Sequence, residues 1–189
     1  MARFPYPAFE DKNFAAAGKP TINVLKLLAY SPATVEQWCS IGNAQFAHLA
    51  LSKKNRELVI LLSSSKFRST YEWTHHVALS TKFGVTDEQR KELWEAGKTK
   101  GHFSEAYWTS NGAIFDPKEK LLLSFLEAVI DTGEVNDTVW KQTTEVFSER
   151  EIVEILTMQV RLDCLVMSGA IKLIVTRAFT TPSHGSQRC

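Results

Sequence analysis

Apolar residues recur along this chain at spacings of three and four, the period of an amphipathic helix. No segment alternates convincingly in the two-residue period of a strand. The runs are "INVLKLLAY", "TVEQWCSIGNAQFAHLAL", "NRELVILLSSS", "STYEWTHHVALSTKF", "DEQRKELWEAG", "PKEKLLLSFLEAVIDTG", "DTVWKQTTEVF" and "EREIVEILTMQVRLDCLVMSGAIKLIVTRAF". Start signals punctuate them. Ser31-Pro32 predicts an N-cap with proline at the first helical position. Thr86 with Gln89, and Ser148 with Glu151, fit the capping box, in which two side chains satisfy each other's orphan amides. Asp116-Pro117 opens a further helix with Glu119 in its first turn. About eight helices with short connections predict an all-α bundle.

Two stretches break the pattern. Residues 1–20 hold three of the six prolines and are expected as an extended N-terminal arm. The segment 97–117, "GKTKGHFSEAYWTSNGAIFDP", is expected as a long loop carrying His102, Tyr107 and Trp108. It is a candidate pocket cover or a surface loop pinned by its aromatics. The tail 181–189, with His184, reads as flexible. The whole, residues 1–189, is expected to form one domain.

Composition narrows the function classes. The chain is 44% apolar and 23% charged, with a formal net charge of +1. Lysines and arginines are interrupted by acids, so no basic face is expected for a nucleic acid. No apolar run reaches the roughly 18 residues of a membrane helix. The opening "MARFPYPAFEDKN" lacks the apolar core of a signal peptide. Cys39, Cys164 and Cys189 are far apart, with no metal-ligand or redox spacing between them. A cytoplasmic protein with thiols rather than disulfides is the expectation.

Chemistry enters where polar residues occupy positions that should be core. At 100° per residue, Ser69, Glu72, His76, Leu79 and Phe83 share one stripe about 80° wide, flanked by Trp73 and Val77. Glu72 and His76 therefore point inward, four residues apart, while His75 faces the polar side near Tyr71 and Lys82. On the preceding helix, apolar residues from Leu58 onward cover nearly the whole circumference, and Glu57 shares a side with Ile60 and Leu61. A buried carboxylate without partners is costly, so it must find a donor or change its protonation. Glu57, Glu72 and His76 can satisfy one another and would also form an acid–base cluster. Ser69 with Glu72 equally fits a capping box, so both readings of that pair stand. Arg56 and Arg68 read as surface or salt-bridge groups, or as holders of a substrate carboxylate.

Glu57, Ser69, Glu72 and His76 stand at relative positions 0, 12, 15 and 19. That spacing resembles the alkylhydroperoxidase D-like superfamily, whose pattern is Glu, then C-x-x-C, then His with three residues between it and the second cysteine. "YEW-x-x-H", together with "RELVIL", "ALSTKFGVTDEQ" and "TVWKQTTEVFSEREIVEIL", resembles its carboxymuconolactone decarboxylase-like branch, over roughly residues 22–175. The resemblance implies an alkylhydroperoxidase D-like helical bundle that assembles as a homo-oligomer (a dimer, trimer or hexamer). It also implies a pocket lined by Glu57 and His76. Ser69 and Glu72 replace both cysteines, so thiol peroxidase chemistry, which needs one thiol to attack and another to resolve, is not expected. What remains is a decarboxylase-like enzyme with no cofactor and no metal, acting on a small carbonyl, lactone or polyketide-like carboxylic acid. His76, Glu57 and Glu72 are its expected catalytic groups. Ser69, Tyr71, Trp73, His75, His102 and Trp108 are the expected substrate-binding groups. The alternatives are isomerisation, dehydration or cyclisation by the same residues, a metal site on Glu57, Glu72 and His76, and a non-catalytic oligomeric binding protein.

Overall fold

Side-chain caps explain where the helices begin. The computed structural model describes residues 6–16, 18, 20–111 and 113–167. Among these, every regular element is an α-helix: α1 (Lys12–Ala16), α2 (Asn23–Leu28), α3 (Pro32–Ala47), α4 (Lys53–Lys66), α5 (Thr70–Lys82), α6 (Asp87–Ala96), α7 (Glu105–Asn111), α8 (Pro117–Thr132), α9 (Asp137–Val146) and α10 (Glu149–Met167). Thr86 and Asp116 form complete capping boxes with Gln89 and Glu119, and Pro117 opens α8. Ser148 and Glu151 exchange the same pair of bonds at the start of α10. The all-helical expectation therefore holds, with two additions. Five residues of the expected N-terminal arm form α1, and seven residues of the expected 97–117 loop form α7. Both helices are too short to display a hydrophobic period in sequence. The tail 181–189 and the chain beyond Met167 lie outside the described residues.

Two compact units are present, one containing the described residues up to Ala44 and the other Gln45–Val166. In the first, Val24, Leu25 and Leu27 of α2 and Val35 of α3 are buried. The second carries all the residues discussed below. Its central rod is α4, which packs against α5, α6 and α8. Leu58, Val59, Leu61 and Leu62 are buried there, as the all-round apolar pattern requires.

The approach of α4 to α6 depends on one glycine. A Cβ on Gly97 would stand 2.6 Å from the Ser65 carbonyl oxygen, and the Ser65 hydroxyl already donates to the Trp94 carbonyl at 3.1 Å. Backbone cannot retreat as a flexible side chain can. Gly97→Ala should therefore destabilise the fold by about 1–3 kcal/mol, the usual cost of overpacking. Urea denaturation checks this.

The segment 97–103 is fastened by a buried ion cluster. Lys66, at the end of α4, reaches Glu127 at 2.6 Å and Asp131 at 2.8 Å and donates to the Thr99 carbonyl at 2.8 Å. The same two carboxylates accept from the backbone amides of Gly101 (2.9 Å), His102 (3.0 Å) and Phe103 (2.7 Å). Each member of the cluster thus satisfies another, which is what burial of charge demands.

Glu154 fastens the chain just ahead of α4. Its carboxylate accepts from the amides of Ala50 (3.1 Å) and Leu51 (3.0 Å) and from Arg150 (2.8 Å). Burial pushes this carboxyl up, but the Leu51 and Ala50 amides and the Arg150 guanidinium outweigh it and hold it below its ordinary value of 4.5. A depressed folded-state pKa adds stability above the unfolded-state value, and that stability is lost as pH falls through the folded one. Glu154→Gln should therefore be less stable than the wild type near neutral pH, with the difference closing below about pH 4. Urea midpoints across that range report it.

Candidate active site

Adjacent helices α4 and α5 are joined by a tight turn, and this brings Glu57 and His76 together. The turn closes with the Ser69 amide donating to the Ser64 carbonyl at 2.8 Å, and Arg68 takes a left-handed φ of 55° within it. A non-glycine residue in that region carries strain, which the surrounding hydrogen bonds hold in place. With the helices folded back on each other, His76 Nδ1 lies 2.8 Å from Glu57 Oε2. Glu57 is fully buried and His76 is 8% exposed.

The other carboxylate oxygen is clamped. Arg56 Nε and Nη2 donate to Glu57 Oε1 at 3.0 and 2.8 Å, and Nη1 donates to the Phe46 carbonyl at 3.1 Å. Two rings neighbour the guanidinium, with its carbon 4.5 Å from the Phe46 centroid and 5.2 Å from that of Phe83. Phe46 also stacks on His76, at 6.0 Å between centroids and 26° between planes. Arg56 is thus the salt-bridge group that the sequence allowed, but buried and not at the surface. Arg68 is exposed, as expected.

This arrangement sorts the imidazole's two nitrogens. Nδ1 is committed to Glu57, and Nε2 makes no hydrogen bond among the described residues. A carboxylate on Nδ1 selects the tautomer with Nε2 as acceptor and fixes the orientation of the ring.

The remaining expected residues are distributed unevenly. Ser69 caps α5, accepting from the Glu72 amide at 3.5 Å, but the Ser69 amide is taken by Ser64, so the pair is not a reciprocal box. The Glu72 carboxylate is half-buried and makes no hydrogen bond or ion pair among the described residues. The partner Glu57 needed is Arg56 on its own helix. His75 is exposed, as its position on the wheel predicts, and stands edge-on to Tyr71 at 4.4 Å. Trp73 packs edge-on to Trp94 of α6 at 4.9 Å.

His102 and Trp108 have other neighbours. His102 Nε2 is 3.7 Å from Glu92, whose carboxylate also accepts from the Tyr107 hydroxyl at 2.9 Å. Burial, and then the neighbouring Glu92, push the Tyr107 phenol well above its ordinary range. Trp108 stacks on Phe103 at 5.0 Å and donates to the Ser124 hydroxyl at 2.8 Å. Trp108 and Ser124 line a broad groove of about 1220 Å³ with Phe103, Leu121, Val139 and Val146. Glu57, Glu72 and His76 are not among its lining residues.

No three His, Cys, Asp or Glu side chains among the described residues are grouped to hold a metal ion. No helix among them is long and apolar enough to cross a membrane. Cys164, exposed on α10, is a free thiol.

Among the described residues the chain is all-helical, and its α4–α5 hairpin buries an Arg56–Glu57–His76 chain. Residues 32–97, which contain α3 to α6 and every member of that chain, match the carboxymuconolactone decarboxylase family. The match supports the resemblance carried by the spacing of Glu57, Ser69, Glu72 and His76. No curated protein matches the chain.

Proposed function

We propose that the protein is a cofactor-independent acid–base enzyme of decarboxylase type, acting on a small carbonyl, lactone or polyketide-like carboxylic acid. The observation that carries this reading is the Glu57–His76 bond at 2.8 Å with Oε1 held by Arg56. An imidazole oriented in this way, with Nε2 uncommitted, is equipped to carry a proton. Loss of carbon dioxide beside a carbonyl leaves the bonding electron pair on an enolate. His76, protonated on Nε2, then delivers its proton to carbon and is reprotonated from water. Glu57 orients the ring and offsets its positive charge. Glu72, without a hydrogen bond to either group, acts through its charge alone.

Substrate recognition rests on the rim. The ammonium groups of Lys53 and Lys82 lie 5.5 and 5.8 Å from the centre of the Phe83 ring, beside Arg56. Neither lysine forms an ion pair among the described residues, so both can offer positive charge to a substrate carboxylate and to a developing enolate. Thiol peroxidase activity forms no part of this reading, because Ser69 and Glu72 stand in the places of the two cysteines. Homo-oligomeric assembly is part of the proposal by resemblance.

One observation favours a second reading. The chain of bonds from Arg56 to His76 is almost sealed, as a purely structural network would be. In that case the protein binds without catalysis, and Glu57→Gln changes stability alone. The test is incubation of the purified protein with β-keto and lactone acids in deuterium oxide, with carbon dioxide and deuterium uptake at the α-carbon both followed. Carbon dioxide release supports the decarboxylase reading. Deuterium uptake without it indicates isomerase-type proton transfer, and neither signal from folded protein overturns catalysis.

A further inference from the structure

The α8–α9 hairpin presents a surface that matches itself. Gly133, at a left-handed φ of 73°, ends α8, and residues 133–136 link it to α9. So short a link makes the two helices antiparallel neighbours, and they pack against each other. α9 forms a ridge: Thr143 is its one buried residue, while Trp140 and Val146 are 46% and 44% exposed. Beside the ridge lies the groove of about 1220 Å³, lined on the α8 side by the half-buried Leu121, Ser124 and Ala128. A ten-residue helix, ~15 Å long and ~10 Å across, fills a space of the same order.

Spacing and charge identify the occupant. The α9 residues Val139, Gln142 and Val146 line the groove and are nearly symmetric about Gln142. Run antiparallel to its own copy, this row sets Gln142 against Gln142 and each Val139 against the partner's Val146. Leu121, Ser124 and Ala128 repeat the same three-and-four spacing, that of helices in a four-helix bundle. Lys100 donates to the Asp131 carbonyl near the 133–136 turn, whereas Glu145 lies at the far end of α9. Both line the groove, and neither forms an ion pair among the described residues. An antiparallel partner helix brings its own Glu145 to the turn end, beside Lys100.

We propose that the α8–α9 hairpin is a dimer face, with α9 of a second copy seated in the groove antiparallel to α9. The two hairpins then form a four-helix bundle about a two-fold axis at Gln142. A ridge beside a groove meets its own copy after a half-turn, as an isologous contact requires. The face rests on the homo-oligomeric part of the proposed function and is independent of the chemistry at His76.

Sedimentation equilibrium of the full chain, with cysteine cross-linking, tests the face. The wild type should be a dimer or a multiple of it. Val146→Lys should raise the dimer dissociation constant about a hundredfold, because each copy then buries an unpaired charge. Its melting transition should be retained if Val146 is as exposed in the single chain as described. Gln142→Cys, on the axis, should give a disulfide-linked dimer under mild oxidation. Lys141→Cys, about 100° round the helix, should not exceed the wild type, whose own cysteines set the background. A wild-type monomer overturns the assembly and the face together. A trimer, or an oligomer whose mass Val146→Lys leaves unchanged, overturns the face alone. So does Gln142→Cys linking no better than Lys141→Cys. Should Val146→Lys unfold, the two cysteine variants decide the matter. None of these measurements involves turnover, so a failed substrate screen would leave the result standing.

Discussion

In His76→Gln, turnover of the responding substrate should fall by about 10²–10⁴-fold, the usual contribution of one positioned general acid–base group. Glutamine is the informative replacement. Its side-chain amide can still donate to Glu57 Oε2, the bond now made by Nδ1 at 2.8 Å, so the buried carboxylate is not orphaned. What glutamine lacks is a ring nitrogen able to carry a proton to and from a substrate. His76→Ala would lose the bond as well and mix the two effects. Glu72→Gln in the same assay should cost far less, since that carboxylate has no bond to the ring. Steady-state rates with matched melting curves check the set. A fully active His76→Gln would remove the imidazole from the chemistry.

Arg56→Met should destabilise the protein by about 3–5 kcal/mol, the cost of removing one partner from a buried ion pair. The variant keeps an apolar stem beside Phe46 and Phe83 but strips two donors from Glu57 Oε1, at a position with no exposure. At roughly 2–4 °C per kcal/mol for a chain of this length, the midpoint should fall on the order of 10 °C. Arg56→Met combined with Glu57→Gln should recover part of the loss, because the double variant buries no unpaired charge. Scanning calorimetry of the three proteins reports the coupling. Single and double variants that melt together would mean the carboxylate is solvated and the clamp counts for little.

Much of this architecture is legible in the chain. The helix starts follow from caps at Thr86, Asp116 and Ser148, and the inward side of α5 follows from the wheel that separates His76 from His75. Glu57 could be placed inside because α4 is apolar on every side. The same fact held the missed signal. In a helix with no polar face, a charged residue in the turns that enter the core must be buried too, and Arg56 is that residue. The sequence reads it as a surface or salt-bridge group, and the structure shows the salt bridge but buries it, although neighbours in sequence do not share a helix face. Their pairing depends on the length of the arginine side chain, which a wheel does not represent. Glu72 failed in the opposite way: the stripe puts it near His76, but its place in the first turn of α5 leaves its carboxylate without either partner. The positions of His102 and Trp108 depend on how 97–117 folds back onto α8, and that is set by Lys66, Glu127 and Asp131, widely separated in sequence.

The Lys66 cluster has a practical use. Its ammonium is nearly buried, with a 5% exposed side chain, and is bonded to Thr99, Glu127 and Asp131 at once. An amine-directed reagent can reach it only in molecules whose 99–103 segment has lifted away. The labelling rate of this one amine, set against the exposed lysines of the same molecule, is therefore a built-in clock for local opening.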